Sequence, residues 1–233
     1  MIRLALIGLL CSTLQLAAQD TPARSAAVPL DSRAHTQLVT AGVAWVEHAG
    51  RPSLHLVPLP GHEHDTDQEL AAILTDSDFE NGAIDVDVSG ARRDGYASDN
   101  LSAHKGHIGL SFRVHGDSAE RFYVRPENSI LDDQVFRNRS IQYESDPDFP
   151  FQRLRQESPE TYEAYAPMKP GVWTHLRIEV SGKKAKLFVN GRAQPALIVN
   201  DLKNGASRGK IALWTRISTD AYFSNLRVEK RDR

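Results

Sequence analysis

Residues 173–191 hold two stretches in which every second side chain is apolar, and this period of two constrains the fold more than any other feature. Leu176, Ile178 and Val180 alternate with His175, Arg177 and Glu179. After Ser181-Gly182-Lys183, Ala185, Leu187 and Val189 alternate with Lys186, Phe188 and Asn190. A two-residue period gives an extended strand one apolar face, so the pair predicts an antiparallel hairpin. Asn190-Gly191 then supplies a turn that tolerates positive φ. Residues 209–214 and 221–228 predict two further strands.

The same pattern recurs upstream. Residues 41–47 and 52–57 predict a hairpin turning at 48–51, and residues 83–88 present Ile84, Val86 and Val88 to a core. Residues 106–114 and 121–125 place Ile108, Leu110, Phe112, Val114, Phe122 and Val124 inward, and a short strand is expected around 140–143. Residues 67–74 fit one helical turn or a strand equally well. Between residues 126 and 171 the period fades, and a segment that long inside a compact domain usually carries function or local structure. About a dozen short strands without helical alternation predict an all-β, antiparallel two-sheet β-sandwich or jelly roll over residues 39–230. Its expected core includes Ile84, Val86, Leu110, Phe112, Leu176, Ile178, Leu187, Val189 and Leu213.

Arg3 followed by an apolar run from Leu4 through Ala18 has the layout of a cleavable secretory signal peptide over residues 1–18. The run is too short and too interrupted by Ser12, Thr13 and Gln15 for a membrane span. A lipid anchor at Cys11 is the alternative, with bulky Leu10 against it. Cleavage would remove the single cysteine, leaving the core to stabilise the domain without a disulfide. Residues 19–38, rich in Ala, Pro, Ser and Asp, read as a flexible lead-in. The formal net charge of −2 implies no basic surface for nucleic acid or anionic membrane. A secreted or periplasmic location follows, and nothing in the sequence fixes an oligomeric state.

Six spaced elements agree in order with a known superfamily: Phe79-x-Asn-Gly82 before a strand, Gly106-x-x-Gly109-x-x-Phe112-Arg113, Trp173-x-x-Leu-Arg-Ile, Leu187-Phe-Val-Asn-Gly191, Gly209-x-Ile-x-Leu-Trp214 and Phe223-Ser-Asn-Leu226. Together they resemble the concanavalin A-like lectin/glucanase superfamily, and within it the laminin-G-type jelly rolls and the bacterial domains related to 3-keto-disaccharide hydrolases. The resemblance implies the jelly roll and a carbohydrate ligand. Turn glycines and core residues carry it, so the activity must be argued from a site.

Alternation supplies the candidate. With Phe112, Val114, Phe122 and Val124 inward, Arg113, Tyr123 and Arg125 share the other face, and Gln142 joins them. If Ile211 and Leu213 point inward, the Trp214 ring also faces that way. Arginines and aromatic rings on a concave sheet face can hydrogen-bond sugar hydroxyls or carboxylates and stack on a pyranose. The competing reading is a solvated face whose arginine stems cover apolar surface.

Asp85 and Asp87 lie on one strand face about 6.7 Å apart, near the roughly 5–5.5 Å that a retaining glycosidase needs between its carboxyl groups. The glucanase members of the superfamily carry a Glu-x-Asp-x-(x)-Glu strand, whereas here the run is Asp85-Val-Asp87-Val-Ser89. The 3-keto-disaccharide hydrolase relatives follow the strand tyrosine with an acidic and a polar residue, whereas Tyr123 precedes Val124 and Arg125. Glu127 or Glu144 would have to supply a carboxylate from a loop. Gly61-His-Glu-His-Asp65 and His104-x-x-His107 offer imidazole pairs, but solvated loop histidines are the ordinary case, so no metal is expected. No Gly-x-Ser-x-Gly elbow or phosphate loop is found, and no cofactor is expected. Asn100-Leu-Ser102 and Asn138-Arg-Ser140 match the N-glycosylation pattern, which matters only in a eukaryotic source.

A secreted carbohydrate-recognition domain is therefore the expected function. Its alternatives are a glycoside or 3-keto-glycoside hydrolase and a non-sugar adhesion or interaction module.

Overall fold

The structure is a computed structural model that describes residues 24–31, 34–65, 68–96 and 105–231. The strands, in chain order, are β1 (Arg24–Ala27), β2 (Thr36–Val39), β3 (Ala41–His48), β4 (Arg51–Pro58), β5 (Glu69–Phe79), β6 (Gly82–Arg92), β7 (Ile108–His115) and β8 (Ser118–Val124). Two short helices follow, α1 (Pro126–Ser129) and α2 (Gln134–Arg137), then β9 (Ile141–Asp146), α3 (Phe151–Glu157) and β10 (Glu163–Ala164). The chain closes with β11 (Thr174–Ser181), β12 (Lys184–Val189), β13 (Leu197–Val199), β14 (Gly209–Arg216) and β15 (Thr219–Lys230). The segment expected as a signal peptide, Cys11, His104 and the Asn100 glycosylation pattern lie outside the described residues.

Two antiparallel sheets pack face to face. One has eight strands in the order β13-β12-β11-β6-β15-β4-β3, with β1 also paired to β15; the other has seven, in the order β10-β9-β8-β7-β14-β5-β2. The undecided stretch after residue 67 extends as β5, and the segment expected as a flexible lead-in contributes β1 and β2.

Register turns the sequence alternation into a core. In the larger sheet Leu187, Ile178, Ile84 and Val228 line up across four strands. In the smaller, Tyr143, Phe122, Leu110, Leu213, Ala72 and Leu38 form a row across six. The expected core residues are all buried, with Ile178, Leu110 and Phe112 fully so. Val114, also expected to point inward, is only partly buried. Its displacement comes from β7, where Phe112 pairs with Glu120 and the next pair is His115 with Ser118. Two residues of β7, Arg113 and Val114, thus oppose the single Ala119 of β8, which is a β-bulge. Arg113 takes φ +54 there.

Candidate functional site on the seven-stranded sheet

Residues facing away from the core on β14, β7, β8 and β9 form two rows. The first is Trp214, Gly109, Tyr123 and Gln142; the second is Ala212, Ser111, Arg121 and Glu144. Gly109 shapes the first row, because a Cβ there would lie 2.1 Å from the Phe122 carbonyl oxygen. With no side chain at that position, the Tyr123 and Trp214 rings meet across it at 4.9 Å between centroids.

A polar network is built on this aromatic floor. The Tyr123 hydroxyl donates to Glu144 Oε1 (2.9 Å), and Arg125 Nη2 donates to the Tyr123 oxygen (2.8 Å) and to Gln142 Oε1 (3.3 Å). The α3 segment closes over it, with the Phe151 backbone N–H donating to Glu144 Oε1 at 3.1 Å. Arg121 stands at the centre, its guanidinium 4.4 Å from the Trp214 ring centroid. It donates to Ser111 Oγ, Glu69 Oε1, Glu144 Oε2 and Asp146 Oδ2. Glu69 also accepts from the Trp214 indole N–H at 2.9 Å, and Arg216 lies 3.6 Å from it.

Burial divides this array. Tyr123, Gln142, Trp214, Arg121, Arg125 and Glu144 are all buried, so their charges and dipoles are satisfied mainly by one another. The Glu69 and Asp146 side chains keep 40% and 31% exposure and form the wet rim. Burial pushes the Asp146 carboxyl above the usual aspartate range, with Glu69 and Glu144 adding to the effect, while Arg121 pulls the other way. Burial likewise pushes the Tyr123 phenol up. Beside it, 5.8 Å between ring centroids, His107 is held well below the usual histidine range by burial and by the charges of Arg125, Arg216 and Lys105. It is therefore neutral at physiological pH, and its buried Nδ1 has no hydrogen-bond partner.

Four of the five residues expected at the site, Tyr123, Arg125, Gln142 and Trp214, are brought together. The Trp214 ring faces outward as expected, but Arg121 covers it, so it supports the wall instead of offering a bare stacking surface. Arg113 is placed elsewhere. The bulge directs it to the end of the sandwich, where Nε and Nη2 donate to the Glu80 carbonyl (3.0 and 2.6 Å), Nη1 to the Gly205 carbonyl (2.8 Å) and Nη2 to the Gly182 carbonyl (2.8 Å). It is 2% exposed and ties three loops together.

Arg121, Glu69 and Asp146 were absent from the sequence-derived set. Arg121 had a usable signal, since it has the parity of Tyr123 and Arg125. Glu69 had none, because the strand containing it was undecided.

Asp85 and Asp87 lie on the outer face of the eight-stranded sheet. Asp87 accepts from Arg51 (2.6 Å) and Asn225 (2.7 Å) and lies 2.9 Å from His175 Nδ1. Asp85 accepts from Arg177 at 2.7 Å and lies 3.3 Å from His175 Nε2. Both carboxylates are held by cations in a structural cluster. His62 pairs with Asp65 at 2.8 Å on the surface, and among the described residues no group of three or more acidic, histidine or cysteine side chains converges as a metal site. Ser140 of the second glycosylation sequence is fully buried. No helix among the described residues is long and apolar enough to cross a membrane.

No curated protein matches the sequence significantly. Among solved structures, a Bacillus subtilis protein with a galectin-like fold superposes with a TM-score of 0.59 at 13% identity, over 92% of this chain and 99% of the other. The carbohydrate-binding module CBM66 from Bacillus subtilis gives 0.54 at 14% identity, over 86% and 99%. The metal-free exoplasmic/lumenal domain of VIP36 gives 0.50 at 9% identity, over 85% of each chain. At these identities the likeness establishes the lectin-like sandwich fold. The family described as the 3-keto-alpha-glucoside-1,2-lyase-like domain matches residues 42–229, nearly the whole sandwich, and the chain belongs to that family.

Proposed function

We propose that this protein recognises a carbohydrate on the outer face of the seven-stranded sheet. Glu69, Asp146 and Arg216 would meet the sugar, and the buried array of Arg121, Tyr123, Arg125, Gln142, Glu144 and Trp214 would hold them in place. One observation carries the reading: two part-exposed carboxylates, Glu69 and Asp146, are fixed by the same buried guanidinium. Carboxylates pre-oriented in this way accept hydrogen bonds from sugar hydroxyls without ordering cost at binding. The buried arginines are already engaged by protein acceptors, which leaves acidic acceptors at the rim and favours a neutral sugar over an anionic one. The CBM66 likeness and the family's glucoside description support the carbohydrate class, and the apolar N-terminal run supports secretion.

Titration of the purified protein against a neutral glycan panel, including oxidised 3-keto sugars, tests this. Asp146→Asn and Glu69→Gln should each weaken binding by about tenfold, while Asp85→Asn on the opposite face should not. Unchanged affinity in both rim variants would refute the site.

The family match and the raised Asp146 carboxyl favour a second reading, catalysis on a 3-keto glycoside. The ketone at C3 acidifies the C2–H bond. A carboxylate base takes that proton, the C1–C2 double bond forms, and the C1–O bond breaks with the aglycone leaving as its alcohol after protonation. Asp146 is the carboxylate we assign as base. Aglycone release from a 3-keto glycoside that Asp146→Asn abolishes even at saturating substrate would support it; binding without release would leave recognition alone.

A further inference from the structure

The eight-stranded sheet ends at β3, which is hydrogen-bonded to β4 on one side and to no described strand on the other. Its length sets it apart from the remaining sheet edges. β13 has three residues, β10 two, and β1 and β2 four each, whereas β3 has eight, paired to β4 without a register shift. Long open edges are normally guarded by proline, lysine, a bulge or a covering element. Ala41–His48 contains neither proline nor lysine and no bulge. Apolar side chains stand open along it instead, Trp45 at 45% and Val46 at 36% exposure. Thr40, at φ +49, passes the chain directly from β2 to β3. The open edges of both sheets therefore lie on one side of the sandwich, where Leu38 and Val39 are also exposed.

We propose that a second copy of this chain covers this side, with β3 pairing antiparallel to β3 of the partner about a two-fold axis at Ala44. Val43 and Trp45 lie opposite Leu56 and Leu54 of β4 and so belong to the core face; Gly42, Ala44 and Val46 belong to the outer face. Residues directly opposite in an antiparallel ladder share a face. For the two cores to lie on the same side of one continuous sheet, each residue must therefore meet one of its own parity. An axis at Ala44 puts Val43 opposite Trp45, an aromatic against a β-branched residue, and Gly42 opposite Val46. It also sets Glu47 opposite Ala41 and separates the two Glu47 residues by six positions, about 20 Å. An axis at Trp45 would instead put Val43 against Glu47 and two indoles on one spot. The pairing thus satisfies the free backbone groups, covers the apolar stripe and brings no like charges together.

Sedimentation velocity on the full chain at tens of micromolar should show a dimer, and Trp45→Lys should raise the dissociation constant by at least about tenfold. In a Cys11→Ser background, Ala44→Cys should cross-link to a covalent dimer under mild oxidation, and Glu47→Cys should not. The cysteine pair decides the register even if Trp45→Lys impairs folding. A monomer throughout the concentration range, or a dimer indifferent to Trp45→Lys, would overturn the proposal. A dimer that Ala44→Cys fails to cross-link would overturn this pairing.

Discussion

Truncating Arg113 to alanine should destabilise the domain while leaving the seven-stranded sheet's outer face intact. The guanidinium makes four hydrogen bonds to three backbone carbonyls, those of Glu80, Gly182 and Gly205, at 2.6–3.0 Å. A hydrogen bond involving a charged group contributes about 1.5–3 kcal/mol net. Gly182 and Gly205 lie in turns that water can reach once the side chain is gone, so their carbonyls are largely resatisfied. The loss is then about 3 kcal/mol, a large share of the roughly 5–15 kcal/mol that holds a domain folded. With a urea m-value near 2–3 kcal/mol/M, the unfolding midpoint should fall by about 1 M or slightly more. Urea unfolding followed by tryptophan fluorescence reads this directly, and an unchanged m-value confirms that the native state is the one affected. Arg113→Lys should recover only part of the loss, since a single ammonium cannot span three carbonyls with the same planar fork. A loss below about 0.5 kcal/mol would show that the three loops are held without Arg113, and the staple argument would fail.

Ile178→Ala should cost about 2–5 kcal/mol, because the side chain is fully buried between Leu187 and Ile84; chemical denaturation measures it, and a loss under 1 kcal/mol would place the core elsewhere. Hydrogen bonds to Asp85 and Asp87 raise the His175 pKa from 6.5 to about 9. Its stabilising contribution is therefore complete below pH 6.5 and is lost as pH climbs through about 9. Melting temperature should fall across that window in the native protein and stay flatter in His175→Gln; parallel profiles would contradict the linkage. Replacing Asp85 and Asp87 together by Asn should leave carbohydrate binding and any glycan turnover intact but lower stability, since Arg51 and His175 lose their carboxylate partners and Arg177 loses one of its three. Lost turnover in a stably folded double variant would restore the pair as catalytic carboxylates.

The sheets were legible because their signal is local: a strand buried on one side must alternate, and register then carries that alternation across neighbours such as Leu187, Ile178 and Ile84. The site was legible only as far as alternation held. From β8 the parity of Phe122 and Val124 correctly sends Tyr123 and Arg125 outward, and from β14 the parity of Ile211 and Leu213 does the same for Trp214. Counting along β7 fails at Arg113, because one extra residue reverses every later position. The residue at positive φ is an arginine, so no glycine marks the bulge. A different residue carries the warning. Glu120 has the inward parity of Phe122 and Val124, and a carboxylate at a core position requires partners. It finds them in the Tyr143 hydroxyl at 2.5 Å and the Asn204 backbone N–H at 2.9 Å; burial still raises its carboxyl above the usual glutamate range, with these hydrogen bonds and the more distant Arg113 charge pulling the other way. An acidic residue at that inward position signals that the strand end is polar inside, where counting alone does not place Arg113. The outer face is left to Arg121, whose guanidinium links the two rim carboxylates.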